Sequence, residues 1–281
     1  MTNAARTSGI PTPERVFYGV VCLAATFVAV LGYLAPERMD AAFTWAELPP
    51  LHARFVATLY LFGAVFLFTA LLARRARSVR PAMGGIAIFT GVLFLVTVRN
   101  LEAFDFTLVP VWVWTASYVV YPLVALAFLW TRRGRREPEH SEVATVGWVR
   151  GVLLAHALVF GVLGLLMFLM PDLMVDAWPW PVTSGVVQAY SSPFLTVAFC
   201  AGAYADRRVW PDVGVLLPAL FVLEAGTLAV SLAYTELFPV EAVATWVWFG
   251  GFLLGALSVG AALVARVTTR PVPIGAAPLP R

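Results

Sequence analysis

The sequence predicts an all-α membrane bundle: eight transmembrane helices arranged as two parallel four-helix repeats. Three observations carry this reading. The 281 residues are 60% hydrophobic and only 12% charged, against roughly 25% charged in soluble domains. Apolar runs long enough to cross a bilayer, about 20 residues each, recur along the chain. One stretch is written twice: residues 36–45 read PERMDAAFTW, and residues 171–180 read PDLMVDAWPW.

The elements follow in order. Residues 1–13 are polar, carry two prolines and are predicted to be a disordered cytoplasmic segment. No signal-peptide cleavage site stands out, so the first span is expected to be retained. Spans are predicted at about 15–35, 50–73, 82–99, 109–131, 147–170, 185–205, 212–234 and 242–265, each bounded by Pro, Gly or charge. The runs are continuous rather than alternating, which excludes a transmembrane β-barrel. Residues 134–146 form a charged linker, and 268–281 a Pro-rich cytoplasmic tail.

Direction comes from arginine. All 19 basic residues are Arg. Sixteen fall at the termini and in the even-numbered connections, including RRARSVR (74–80) and RRGRR (132–136); Arg38, Arg54 and Arg99 fall on the other side. Basic residues mark the cytoplasmic face. The sequence therefore predicts a multi-pass protein of the cell membrane with both termini cytoplasmic. The opposite face is expected to be acidic, with nine of the 16 carboxylates.

The doubled stretch follows the first span and then the fifth. A second pair, LEAFDFTLVPVWVW (101–114) and TELFPVEAVATWVW (235–248), aligns Glu, Phe and Trp-Val-Trp. Two repeats, 14–133 and 147–267, are therefore expected. Four spans is an even number, so both enter the membrane in the same direction. The prolines at 36 and 171 are expected to stop their helices. Phe43, Trp45, Trp178 and Trp180 are then read as an aromatic belt at the outer boundary, or as a lid over a pocket. The belt reading extends to Trp112, Trp114, Trp246 and Trp248.

Ionisable groups at bilayer depth are expensive and point to function. Glu224 lies twelve residues into the seventh predicted span, with Thr227 and Ser231 following on the same helical face. The equivalent place in the first repeat is Phe89 or Thr90, so that half lacks the acid. Gln188, Ser191 and Ser192 sit before Pro193 in the outer part of the sixth span; His52 and Arg54 occupy the matching place in the second, and Arg99 ends the third. The expected ligand-binding set is Glu224, Thr227, Ser231, Gln188, Ser191, Ser192, Arg54, His52 and Arg99, around an outward-facing cavity. His156 is read as separate, in the inner third of the fifth span.

Several chemistries are excluded. Without Lys there is no Schiff base. Three His do not place a bis-His haem, and no spacing suggests zinc. No glycine-rich loop follows a strand. Cys22 and Cys200 sit in apolar runs and read as small hydrophobes. No cofactor, metal or nucleic-acid partner is expected; the partners are the bilayer and a small-molecule or lipid ligand, with the oligomeric state open. The residues favour binding or transport of a small or amphipathic molecule near Glu224. The alternatives are a non-catalytic scaffold or accessory subunit, or a lipid-modifying enzyme using Glu102 and Glu236 as a carboxylate pair.

Overall fold

The computed structural model describes residues 9–133, 145–207 and 209–268. Among them the regular structure is helical, without a strand. The long helices are α1 (Thr12–Leu34), α2 (Pro50–Leu72), α3 (Ala76–Arg99), α4 (Val109–Thr131), α5 (Gly147–Leu169), α6 (Ser184–Ala205), α7 (Leu217–Leu232) and α8 (Val243–Thr268). Seven of them are long and apolar enough to cross a membrane, as in an integral membrane protein; α7, with 16 residues, is shorter. A 23-residue helix such as α1 is about 35 Å long, and α7 about 24 Å. Most of the charged linker, the first eight residues and the tail from 269 lie outside the described residues. Helix α1 begins at Thr12, earlier than the sequence suggests, and the adjoining Ile10 is buried.

The main departure from expectation is at the seventh span. It is read as one run, 212–234, but the chain makes a short helix, Trp210–Val213, then a turn, then α7. Two features mark the break, one local and one distant. Pro218 has no backbone N–H and stands at the start of α7. Gly214 leaves its carbonyl free for Arg266, whose Nη1 donates to Gly214 O at 3.1 Å. A Cβ at Gly214 would lie 2.3 Å from the guanidinium carbon, so this close approach needs glycine.

Each outer helix packs mainly on one inner helix: α1 on α2, α4 on α3, α5 on α6 and α8 on α7. The inner helices pair crosswise, α3 on α6 and α2 on α7, while α2 and α3 touch each other only lightly. The outer helices carry the exposed apolar side chains, such as Leu34 on α1, Val109 on α4, Leu158 on α5 and Leu254 on α8. Without a hydrophobic force between helices in lipid, close backbone approach and hydrogen bonds hold them. At Gly32 a Cβ would lie 2.7 Å from Ala53 O, fixing the crossing of α1 and α2. Across the middle, Ser192 Oγ donates to Phe89 O (2.7 Å), and Gly226 lies against Thr58.

Local geometry recurs along the chain. Ala35 (φ −142°, ψ 62°) ends α1, and Met170 (φ −133°, ψ 58°) ends α5, each immediately before the proline of the doubled stretch. Trp114 Nε1 donates to Thr97 Oγ1 at 2.9 Å, seventeen residues back. Trp248 Nε1 does the same to Ser231 Oγ, again at 2.9 Å and seventeen residues back. Trp112 and Trp246 each donate to a backbone carbonyl six residues earlier.

The indoles of Trp112 and Trp246 are exposed, whereas Trp114 and Trp248, which the belt reading included, are buried. Trp178 and Trp180 are also buried, packed mostly edge-to-face against Trp248, Phe55 and Tyr190. At the other end of the bundle, Ser78 donates to the buried Asp212, whose second oxygen lies 3.7 Å from Arg77 Nε. Glu14 and Arg132 pair at 2.5 Å, tying α1 to the end of α4.

Substituting Gly32→Ala forces a methyl onto a backbone oxygen that cannot rotate away. It is expected to cost about 1–3 kcal/mol in reversible detergent unfolding. Gly63→Ala, where a Cβ meets nothing within 4 Å, is the control and leaves stability unchanged or raised.

Candidate functional site

The site forms where two outer helices fail to meet. Helices α5 and α8 touch only lightly. Between them lies a groove of about 590 Å³. Exposed Val159, Val247 and Leu254 stand on its lining, on the outside of the bundle. Phe160, Phe194, Phe252 and Met167 line its apolar interior, and Met174 and Trp178 come from the doubled stretch. Two ionisable side chains also line it: Glu224 from α7 and His156 from α5.

Both are buried, Glu224 at 2% exposure and His156 at 8%. Glu224 Oε1 lies 3.3 Å from His156 Nε2. That is close enough for strong electrostatic coupling, but longer than the roughly 2.7–2.9 Å of a charge-assisted hydrogen bond. Oε1 makes no properly oriented hydrogen bond in the structure. His156 is oriented from its other side, where Nδ1 lies 2.8 Å from Val152 O. A carbonyl only accepts, so Nδ1 carries hydrogen and Nε2 faces the carboxyl. The ring also stacks on Phe160, nearly parallel at 6.0 Å between centroids.

Gly255 of α8 completes the arrangement. A Cβ there would lie 2.5 Å from Glu224 Oε2 and 2.6 Å from its carboxyl carbon. The carboxyl occupies the space a side chain would fill. Ser258, one turn further along α8, also lines the groove.

The residues expected at the site are spread more widely. Glu224 lines the groove. Thr227 is fully buried one turn on, its hydroxyl without a partner. Ser231 donates to Thr227 O and accepts from Trp248. Gln188 bridges Asn100 Nδ2 (3.0 Å) and Phe168 O (3.3 Å). Ser191 donates to Gln188 O, and Ser192 to Phe89 O across the middle of the bundle. His52 is held between Tyr190 Oη and Pro181 O. The Arg54 guanidinium lies over the Tyr234 ring at 5.4 Å, and Arg99 is exposed in the last turn of α3. Glu102 and Glu236 are exposed on short 3₁₀ turns. Thus the structure brings Glu224 to the groove and gives Gln188, Ser191, Ser192 and His52 hydrogen bonds between or within helices.

Sequence reasoning missed His156 as Glu224's partner. The signal was depth. His156 is nine residues into α5 and Glu224 seven into α7, and both helices run away from the arginine-rich end. Two ionisable groups at matching depth in one membrane protein are candidates for each other.

A second groove, of about 490 Å³, lies between α1 and α4. Thr90 and Val21, the positions that the doubled sequence would match to Glu224 and His156, both line it. Tyr118 lines it and hydrogen-bonds Tyr60 at 2.6 Å. Among the described residues, no carboxylate, His or Arg lines this groove. Nor does any group of three His, Cys, Asp or Glu suit a metal ion among them.

In comparisons with protein-family models, with curated proteins and with solved structures, nothing matches this chain.

Gly255→Ala is expected to displace the Glu224 carboxyl. The measurement is infrared: the carboxyl band that disappears in Glu224→Gln identifies the group. That band is expected to shift in Gly255→Ala and to stay in Gly250→Ala, where a Cβ meets nothing within 4 Å.

Proposed function

We propose that this is an integral membrane protein that binds a small amphipathic molecule in the groove between α5 and α8. The molecule's apolar body lies among the aromatic side chains, and its polar end reaches Glu224 and His156. The single observation that carries this reading is the buried Glu224 carboxyl, aimed into an apolar groove with one oxygen lacking an oriented hydrogen bond. A buried polar group left unsatisfied costs about 1–3 kcal/mol, which a ligand's hydrogen bond would recover. The groove's volume falls within the roughly 300–1,000 Å³ of small-molecule sites. Its mouth, between two lipid-facing helices, gives access from the bilayer.

The chain is read as eight spans, with Trp210–Val213 and α7 together forming the seventh. Residues 14–133 and 147–267 are read as repeats of one four-helix unit. The matched helix ends, the paired tryptophan hydrogen bonds and the crosswise packing support this. The arginine distribution supports both termini on the cytoplasmic side, and the groove then lies at mid-membrane depth. Transport across the membrane is the stronger form of the binding reading; a scaffold role is favoured instead if the groove proves to hold only bulk lipid.

Mass spectrometry of protein purified in mild detergent is expected to find a bound apolar molecule. Gly251→Trp, which fills the groove, should remove it, and Glu224→Gln should weaken its retention by about tenfold, the worth of one buried hydrogen bond. Equal retention in all three proteins overturns the reading. For topology, cytoplasm-active reporters fused to either terminus are expected to be active, and a reporter inserted after Asp105 inactive.

A further inference from the structure

We propose that the molecule bound between α5 and α8 is a lipophilic cation, and that its binding releases the one proton held between Glu224 and His156. This rests on the binding reading above and names its ligand class.

The argument starts from proton bookkeeping. His156 Nδ1 must carry hydrogen, because its partner is Val152 O. Nε2 and Glu224 Oε1, 3.3 Å apart, then face each other with one proton to share. Held on the carboxyl or on the ring, that proton makes the pair neutral. Without it the pair is a carboxylate beside a neutral imidazole, with net charge −1. An unpaired buried charge is strongly disfavoured. The deprotonated state therefore becomes stable when a cation arrives.

The surroundings suit a cation. Among the described residues, no fixed positive charge lines the groove. From α6 the neighbour is Phe194, and from α8 Gly255 and Ser258. The ionisable groups of α2 are engaged elsewhere, His52 with Tyr190 and Pro181, and Arg54 over Tyr234. Arg150 of α5 lies 3.7 Å from Asp206. Five aromatic rings, Phe160, Trp178, Phe194, Trp248 and Phe252, line the cavity, and ring faces attract cations. The exchange balances: one cation enters, one proton leaves, and the site's net charge is unchanged. No covalent bond forms or breaks beyond that proton's transfer to water. The twin groove has Thr90 and Val21 in place of the pair and can make no such exchange.

The test uses the full-length protein in phosphatidylcholine nanodiscs. Tetraphenylphosphonium is the cationic probe and triphenylmethanol the neutral one. Binding is read by tryptophan fluorescence, and released protons by a pH dye in weak buffer. Tetraphenylphosphonium is expected to bind with about one proton released, and about tenfold more tightly per unit rise in pH while the pair retains its proton. Triphenylmethanol should release none. Glu224→Gln should weaken cation binding at least tenfold and abolish release. If that variant misfolds, the wild-type proton count and pH slope decide alone. Neutral-probe binding without cation binding, or cation binding without proton release, overturns the inference and leaves the groove reading standing. If neither probe binds, both fall.

Discussion

Crosswise packing of the four inner helices is the constraint on which the rest depends. Because α2 lies on α7 and α3 on α6, the middle of the bundle is shared by both halves of the sequence. Each outer helix is then held by one inner helix. The first and fourth helices of each half are left apart, and the grooves are the spaces between them. Small residues and hydroxyls make this possible. Gly226 meets Thr58, Gly85 meets Cys200, and Ser192 donates into α3. With bulkier residues there, the inner helices would separate and the grooves would lose their floors.

The two grooves share a frame and differ in chemistry. In both, the far end is closed by the turn after the first helix of the half, through Phe43 in one and Trp178 in the other. One floor carries Thr90, whose hydroxyl is satisfied within its own helix. The other carries Glu224, whose carboxyl is accommodated because residue 255 has no side chain. Thus one glycine on α8, one acid on α7 and one histidine on α5 convert an apolar recess into a site with titratable chemistry.

The helical membrane bundle was legible in the sequence because membrane helices announce themselves by length and hydropathy. Glu224 stood out for the same reason: a carboxyl has no cheap place inside a bilayer. What was not legible was rotation about each helix axis. Gln188, Ser191 and Ser192 share a depth with a hypothetical cavity, yet their side chains turn to carbonyl and amide partners. His156 looked isolated in one dimension and proved to be Glu224's neighbour in three. The break before α7 was signalled by Gly214 and Pro218. The contact made there, Arg266 to Gly214 O, comes from 52 residues away, and no local reading reaches that far.

The gap between α5 and α8 also sets the scale on which occupancy must be expressed. On the binding reading proposed above, a cleft that opens sideways would be filled from the hydrocarbon phase, so the relevant variable would be the mole fraction of solute in lipid rather than its molarity in water. Adding bilayer at constant total solute dilutes it and empties the cleft, although no protein contact has changed. A weak cleft in a small volume of membrane can therefore be fuller than a strong one in a large volume.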